Sequence, residues 1–258
     1  MLWCASDYFS GTNSLLFPIY KSAEIALSNG DYVTAIHEFT SAKGYLDSEA
    51  LLKQIVEEHP DAYRASLDVG QSFTFGTYNG EPIEWVILDK EGTRTLVISR
   101  NILCRRPFNR SDPYQSPAKA PWKNSALRSW LNGSFFNEAF SEEEASRILS
   151  TTINTPDSNI NYLVEGGGDT VDKVFLLSTT EASKYMSHIP SVDGVWWLRN
   201  PGGHNGYTAV VRGSQVNTFG ISNNCGNGST TATHADWENN TVYGPRPVMW
   251  LDLSYSND

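Results

Sequence analysis

The hydrophobic pattern changes after His59-Pro60-Asp61, and this change limits which folds the chain can adopt. Over residues 19–58 the apolar residues recur at the spacing of amphipathic helices. From Val69-Gly70 onward, short apolar runs are separated by turn residues, as in strands. The sequence therefore predicts a helical segment at residues 1–62 and a second domain at residues 68–258.

Turn and capping residues divide the first part into short helices. Asn29-Gly30 suits the end of the first helix, and Asp31 can cap the second. Lys43-Gly44 suits the end of the second helix, and either Asp47 or Ser48 can cap the third. We expect three amphipathic helices before the change of pattern.

The second domain has the pattern of short strands joined by turns. Asn79-Gly80 is a hairpin signal between its first two strands. The expected strands cover residues 71–75, 83–88, 95–99, 174–177, 195–198, 207–211, 215–219 and 247–253.

Helices are expected between the third and fourth of these strands, and directly after the fourth. Asn124 can cap the first helix, while Ser141 with Glu144 forms a capping box for the second. Ser178 with Glu181 forms another capping box. Helices grouped apart from antiparallel strands predict the α+β class.

Charge and composition exclude several kinds of partner. The chain has 29 acidic and 19 basic residues and a formal charge of -10. Such a chain repels phosphate backbones and anionic lipid, so we expect neither nucleic acid nor a membrane surface as its partner. We also expect no membrane insertion, since no apolar run approaches the roughly 20 residues that span a bilayer.

The cysteines and the N-terminus carry little further information. Cys4, Cys104 and Cys225 are far apart and form no C-x-x-C motif, so we expect neither a disulfide framework nor a metal site or cofactor. The first residues lack the basic region of a signal peptide. We expect a soluble chain that is either cytoplasmic or exported, by a non-classical signal or by one that has been removed.

Five motifs in a fixed order resemble one protein family. They are Glu84-Trp85-Val86-Ile87-Leu88, Trp122 with Leu127-Arg128-Ser129-Trp130-Leu131-Asn132, Asp172-Lys173-Val174-Phe175-Leu176-Leu177-Ser178 with Glu181-Ala182, Trp196-Trp197-Leu198-Arg199-Asn200-Pro201-Gly202, and Gly244-Pro245-Arg246-Pro247-Val248. Together they resemble an uncharacterised bacterial domain family that is related to C-type-lectin-like folds.

This resemblance implies a C-type-lectin-like fold: a mixed, mainly antiparallel sheet with two main helices and a long loop-rich C-terminal part. It also implies that the strand around Trp85 pairs with the last strand, around Trp250. The run Gly30-Asp31-Tyr32, followed by Ala35 and Phe39, resembles the packing positions of tetratricopeptide repeats. A tetratricopeptide-like N-terminus is therefore expected.

We expect a structural role for Trp85, Trp196, Trp197, Arg199 and Arg246. Neighbouring strand residues face opposite sides, so one of the paired tryptophans can enter the core while the other lies under loops. The two arginines are expected to bond loop carbonyls or carboxylates such as Asp172, and not a ligand.

Residues 200–243 are the expected binding region, because asparagine and glycine are enriched there and aromatic residues are interspersed. Loops on a rigid scaffold often carry binding sites, although the same composition also suits plain turns. The candidate ligand-binding residues are His204, Asn205, Tyr207, Asn217, Phe219, Asn223, Asn224, Asn227, His234, Asp236, Trp237, Asn239, Asn240 and Tyr243.

The composition of this region, just before a G-x-R-P motif, is also similar to the variable proteins of diversity-generating retroelements. In those C-type-lectin-like proteins of bacteria and phages, mutagenesis of Asn-type codons produces a hypervariable region. The resemblance implies a non-catalytic protein that binds a protein or cell-surface ligand. The identity of the ligand and the oligomeric state stay open.

Other functions remain as alternatives. The chain could be a structural or scaffold protein of a bacterial assembly. A related fold hosts formylglycine-generating oxidoreductases, but Cys104 and Cys225 do not match their copper site. Asp236-Trp237-Glu238-Asn239 is a weak candidate for calcium. No G-x-S-x-G motif supports a hydrolase, so we predict that the chain is not an enzyme.

Overall fold

The computed structural model describes residues 10–109, 121–158, 163–222 and 243–254, with the side chains of residues 10–13 excepted. The chain divides into two compact units, one formed by Met1–Asp68 with Leu253–Asp258 and the other by Val69–Asp252. In the described ranges, no helix combines the length and the apolar character needed to cross a bilayer.

The protein is mixed α+β, with mainly antiparallel sheets. The helices are α1 (Ser10–Ser28), α2 (Tyr32–Ser41), α3 (Ser48–Glu58), α4 (Pro60–Ser66), α5 (Ala126–Trp130), α6 (Phe136–Ala139), α7 (Glu142–Arg147) and α8 (Thr179–Tyr185). The strands are β1 (Ser72–Tyr78), β2 (Glu81–Glu91), β3 (Arg94–Ser99), β4 (Thr151–Ile153), β5 (Thr170–Asp172), β6 (Val195–Pro201), β7 (Tyr207–Arg212), β8 (Gln215–Ser222), β9 (Tyr243–Gly244) and β10 (Val248–Asp252). Short 3-10 turns cover Trp122–Asn124 and Met186–His188, and a π-helical turn, Leu131–Phe135, joins α5 to α6.

The first unit is a small helical array with its own core. Its buried residues are Tyr20, Ala23, Ala26, Ala35, Ile36, Phe39, Ala42, Ile55 and Ala62. Five of them are alanines, which allow neighbouring helices to approach closely. Asp31 caps α2 by accepting a hydrogen bond from the Thr34 N–H at 3.1 Å, which confirms the prediction.

The end of the helical part differs from the prediction. Pro60 does not end the helical region but begins α4, at the first helical position, where a missing N–H costs nothing. Asp47 precedes α3 as expected, but it makes no side-chain cap and accepts a hydrogen bond from the Tyr20 hydroxyl instead.

The first sheet of the second unit has the strand order β1-β2-β3-β10. Asn79 and Gly80 join β1 to β2 with φ angles of 53° and 82°, the left-handed values that a tight hairpin turn requires. The implied pairing of the Trp85 and Trp250 strands is wrong, because β3 lies between them and pairs with both. The reason is local, since β2 and β3 form a hairpin that occupies this edge of β2.

The second sheet has the order β8-β7-β6-β9, with β9 parallel to β6. Residues 174–177, expected as a strand, instead link the two sheets. Phe175 forms an isolated bridge to Val248 in β10, and the Leu177 carbonyl accepts a hydrogen bond from the Arg199 N–H in β6. The segment is shared between two strands and cannot form a continuous ladder with either.

The helices of the second unit begin at polar caps. Both predicted capping boxes, Ser141 with Glu144 and Ser178 with Glu181, are confirmed. Ser125, not Asn124, caps α5 by accepting a hydrogen bond from the Arg128 N–H at 3.0 Å. Asn124 lies inside the preceding 3-10 turn, whereas Ser125 has the extended backbone that a cap needs.

The expected structural tryptophans are all buried. Trp85 donates its indole N–H to the Phe75 carbonyl at 2.7 Å, and Trp197 donates to the Arg106 carbonyl at 2.8 Å. Trp196 and Trp197 are each 1% exposed, so both enter the interior, one from each face of β6.

The two expected arginines are buried as well. Arg199 donates to the Leu176 and Asn154 carbonyls at 2.7 and 3.0 Å and pairs with Glu181. Arg246 donates to the carbonyls of residues 99, 190 and 100 at 2.9, 3.0 and 2.7 Å, and its guanidinium lies 5.2 Å from the Trp196 ring centroid. Burial, and secondarily Arg100, lowers the pKa of Arg246 to about 10.

Asp172 is bonded by a different set of residues from the one the sequence suggested. Its fully buried carboxylate accepts hydrogen bonds from Trp122 Nε1 at 3.0 Å, Arg128 Nε at 2.7 Å and Thr170 Oγ1 at 2.7 Å. This carboxylate therefore joins the start of α5 to β5.

Replacing Asp172→Ala is expected to lower the free energy of unfolding by about 3 kcal/mol, because Arg128 and Trp122 lose their buried acceptor. Denaturation in urea measures the change. The matched control is Asp169→Ala, an exposed carboxylate nearby, which we expect to change the free energy by less than about 0.5 kcal/mol. Equal effects of the two substitutions would contradict the role of Asp172.

Candidate functional site

The pairing register shifts once on each side of β7, and we call these two irregularities the bulges. Between the pairs Trp197↔Val210 and Pro201↔Thr208, β6 advances by four residues while β7 advances by two. Between Val210↔Asn217 and Thr208↔Ile221, β8 also advances by four residues. Bulges bend a strand and redirect its side chains, and they are common next to functional sites.

Glycines make the bulge in β8 possible. Gly220 has a φ of +75°, and a Cβ there would lie 2.1 Å from the Thr208 carbonyl oxygen. The Asn217 side chain accepts a hydrogen bond from the Gly220 N–H at 3.1 Å. This hydrogen bond closes the segment of residues 217–220, which carries Phe219 and which we call the Phe219 turn.

The loop between β6 and β7 is attached to the same bulge. Gly203 donates to the Phe219 carbonyl at 2.8 Å, and Gly202 donates to the Tyr207 carbonyl at 2.9 Å. A Cβ on Gly203 would lie 2.6 Å from the Phe219 ring. A Cβ on Gly202 would lie 2.4 Å from the Phe219 carbonyl oxygen, so the close approach of this loop to β8 requires glycine there.

Three aromatic rings meet above these bulges, and we call His204, Tyr207 and Phe219 the aromatic cluster. The ring centroids are 5.0 Å apart for His204 and Phe219, 5.9 Å for His204 and Tyr207, and 6.0 Å for Tyr207 and Phe219, all edge to face. This is the geometry that aromatic pairs prefer. Phe219 is 37% exposed and the other two rings are half-buried, so the cluster is ordered and still presents apolar surface.

The structure brings together five of the predicted binding residues. Asn205 is exposed in the same loop as His204, and Asn217 lies at the base of the Phe219 turn. Tyr243 does not join them, since it is only 3% exposed and its ring lies 6.4 Å from that of Trp197. The others lie outside the described residues: Asn223, Asn224, Asn227, His234, Asp236, Trp237, Asn239 and Asn240.

A cavity of about 400 Å³ adjoins the aromatic cluster, and its lining includes Phe219 of the cluster and the neighbouring Asn217. Gln215 and Thr218 also line it, and the sequence analysis had not singled them out. The alternation of side chains along β8 could have indicated Gln215, because it shares the face of Asn217. Thr218 could not be found in this way, because the bulge in β8 interrupts the alternation of side chains there.

The segment that carries the aromatic cluster differs in composition from the rest of the chain. Residues 195–222 contain neither aspartate nor glutamate, although the whole chain carries 29 acidic residues. This part of the chain therefore adds no carboxylate that would repel an acidic partner.

Substituting Gly220→Ala is expected to lower the free energy of unfolding by about 2 kcal/mol more than Gly213→Ala. Both glycines have positive φ, of +75° and +59°, which costs any other residue about 1 to 2 kcal/mol. Only at Gly220 does the new Cβ also overlap backbone, whereas at Gly213 nothing lies within 4 Å. Urea denaturation of the two variants measures the difference, and equal losses would show that the close approach does not constrain the bulge.

A search of curated proteins and a search of solved structures find no match to the chain. A family profile described as a domain of unknown function (DUF6273) matches residues 92–253. The matched range includes the aromatic cluster, both bulges, Arg199 and Arg246. It covers more than half of the 258 residues, and the chain therefore belongs to the DUF6273 family.

Proposed function

We propose that the chain is a non-catalytic recognition protein that binds a protein or cell-surface ligand through the aromatic cluster and its polar surroundings. The observation that carries this proposal is the convergence of His204, Tyr207 and Phe219 from separate segments, with Phe219 37% exposed. Contiguous exposed apolar surface, unlike a single exposed side chain, is typical of interaction sites, and here three neighbouring rings share one surface.

The rigidity of the cluster supports this proposal. The Phe219 turn is held by Asn217, and its carbonyl is bonded to the neighbouring loop at Gly203. Because these groups are already ordered, a ligand loses little conformational entropy of the protein when it binds. Tyrosine and other aromatic residues also dominate the energetics of many interfaces, with short polar groups such as Asn205 beside them.

A C-type-lectin-like fold for the second unit is part of the proposal. It is supported by two mainly antiparallel sheets and by the return of the last strand to the sheet that contains β1 and β2. A tetratricopeptide-like origin of the first unit is supported by its small and aromatic core residues, Ala35 and Phe39 among them.

We also propose that residues 200–243 form a hypervariable region of the kind made by diversity-generating retroelements. The anchors at both ends support this, because Arg199 and Arg246 bond backbone carbonyls and do not depend on side chains between them. A near-copy of the encoding DNA beside a reverse transcriptase gene is the expected finding. A genome with neither feature near this gene would remove this part of the proposal.

An oxidoreductase of the formylglycine-generating type has less support. Burial raises the pKa of the Cys104 thiol and outweighs the opposing effect of Arg106. Metal binding and catalysis require the thiolate, which this environment disfavours. Cys225 lies outside the described residues.

A photo-crosslinking amino acid at Asn205 tests the recognition proposal. The labelled protein is exposed to cells and extracts of the organism that encodes it, and we expect discrete crosslinked products. Their yield should fall at least tenfold when Phe219→Ala or Tyr207→Ala is added, as expected for residues that dominate an interface. The matched control places the crosslinker at Leu163, which is 70% exposed and lies away from the cluster in sequence. The same products from both positions, or an unchanged yield in both alanine variants, would contradict the proposal.

A scaffold function is the second candidate, and exposed apolar side chains of the first unit favour it. Leu15, Ile25 and Leu46 are 72%, 61% and 73% exposed. If they form contacts between copies, sedimentation velocity will show an oligomer that Leu15→Glu and Ile25→Glu convert to a monomer. Ser22→Glu, at an exposed polar position of α1, is the matched control. A monomeric wild-type protein would exclude self-assembly through this surface.

A further inference from the structure

A second cavity, of about 450 Å³, lies elsewhere in the second unit, between the start of α8 and the β4 segment. It does not include any residue of the aromatic cluster. Its walls contain buried apolar side chains, among them Ile153, Phe175, Leu177 and Trp250. Its size falls in the range of small-molecule sites, which are typically apolar with a few fixed polar groups.

One carboxylate lies in this apolar cavity, that of Glu181. Its Oε2 accepts hydrogen bonds from the Ser178 N–H at 2.8 Å and from Arg199 Nη1, and its Oε1 accepts one from Arg199 Nη2 at 2.8 Å. Three bonds hold the carboxylate in one orientation. Two oxygens can accept about four hydrogen bonds, so Oε1 retains one position for a further donor.

The two members of the ion pair differ in exposure. The Arg199 side chain is 3% exposed, whereas that of Glu181 is 34% exposed. Burial acts to raise the pKa of Glu181, but the hydrogen bonds and charge of Arg199 and the hydrogen bonds from Ser178 outweigh it, so the pKa lies below its usual value. At neutral pH the cavity therefore presents an ionised acceptor whose charge is already balanced by a buried cation.

We propose that this cavity binds a small uncharged ligand that combines an apolar ring system with one N–H or O–H donor, as in indole or phenol groups. The donor bonds Glu181 Oε1, and the ring system contacts Phe175, Leu177 and Trp250. A hydrogen bond to an ionised acceptor is about twice as strong as one between neutral groups. An ammonium gains less here, because Arg199 already neutralises the carboxylate.

A purely structural role of the ion pair explains only part of this arrangement. Arg199 and the capping box fix β6 to α8, and they use three of the acceptor positions of Glu181. Such a pair needs no cavity beside it. Here Glu181, whose side chain is 34% exposed, and several aromatic side chains line the same space, which is what a ligand with a donor and a ring requires.

Indole and benzofuran form a matched pair of probes, since both have two fused rings but only indole has an N–H donor. With the full chain, saturation-transfer NMR and calorimetry are expected to show indole binding and at least tenfold weaker binding of benzofuran, which equals about 1.4 kcal/mol. No saturation transfer to indole at millimolar concentration, or equal affinity for both probes, would overturn the proposal.

Two tryptophan substitutions on α8 locate the binding. Thr180→Trp, at an exposed position that lines the cavity, is expected to weaken indole binding at least tenfold by occupying the space. Ser183→Trp, also exposed on α8 but outside the lining, is the matched control and is expected to leave binding unchanged. Cooperative thermal unfolding of both variants shows that they are folded. Indole binding that persists in folded Thr180→Trp would place the ligand elsewhere and overturn the proposal.

Discussion

Two buried guanidinium groups, those of Arg199 and Arg246, hold several segments of the second unit together by donating hydrogen bonds to their backbone carbonyls. Arg199 bonds the carbonyls of residues 154 and 176, and Arg246 bonds those of residues 99, 100 and 190. These segments are far apart in sequence, and the five carbonyls are bonded by arginine side chains and not by strand pairing. A buried carbonyl without a hydrogen-bond donor would destabilise the fold by about 1 to 3 kcal/mol. In a regular sheet the donors are backbone N–H groups of the neighbouring strand. Here the guanidinium groups, with five N–H donors each, supply them instead.

Local structure was largely predictable from the sequence, because short-range chemistry determines it. Asp31, Ser141 and Ser178 cap helices as expected, and Asn79-Gly80 forms the hairpin turn. Pairing between distant strands was not predictable in the same way. The position of β3 beside β10, and the division of residues 174–177 between two sheets, depend on tertiary contacts that have no local signal.

For the candidate site, the sequence predicted the region but not the orientation of each side chain. An asparagine- and glycine-rich composition pointed to the region that contains His204, Tyr207 and Phe219. It could not show which way each ring faces, because the bulges in β6 and β8 change the alternation of side chains. Tyr243 has the same chemical character as Tyr207, but it follows the parallel pairing with β6 into the interior beside Trp197.

The strand order of the second sheet has a consequence for evolution by insertion and deletion. The chain leaves this sheet at Ser222 on the β8 edge and rejoins it at Tyr243 on the β9 edge. Those edges are separated by three strand spacings, about 14 Å, which a handful of extended residues can span. The chain has 20 residues between these two positions, which is more than this separation requires. The two edges therefore set a minimum for the length of chain between Ser222 and Tyr243, and a deletion that leaves fewer residues than this minimum would separate β8 or β9 from the sheet.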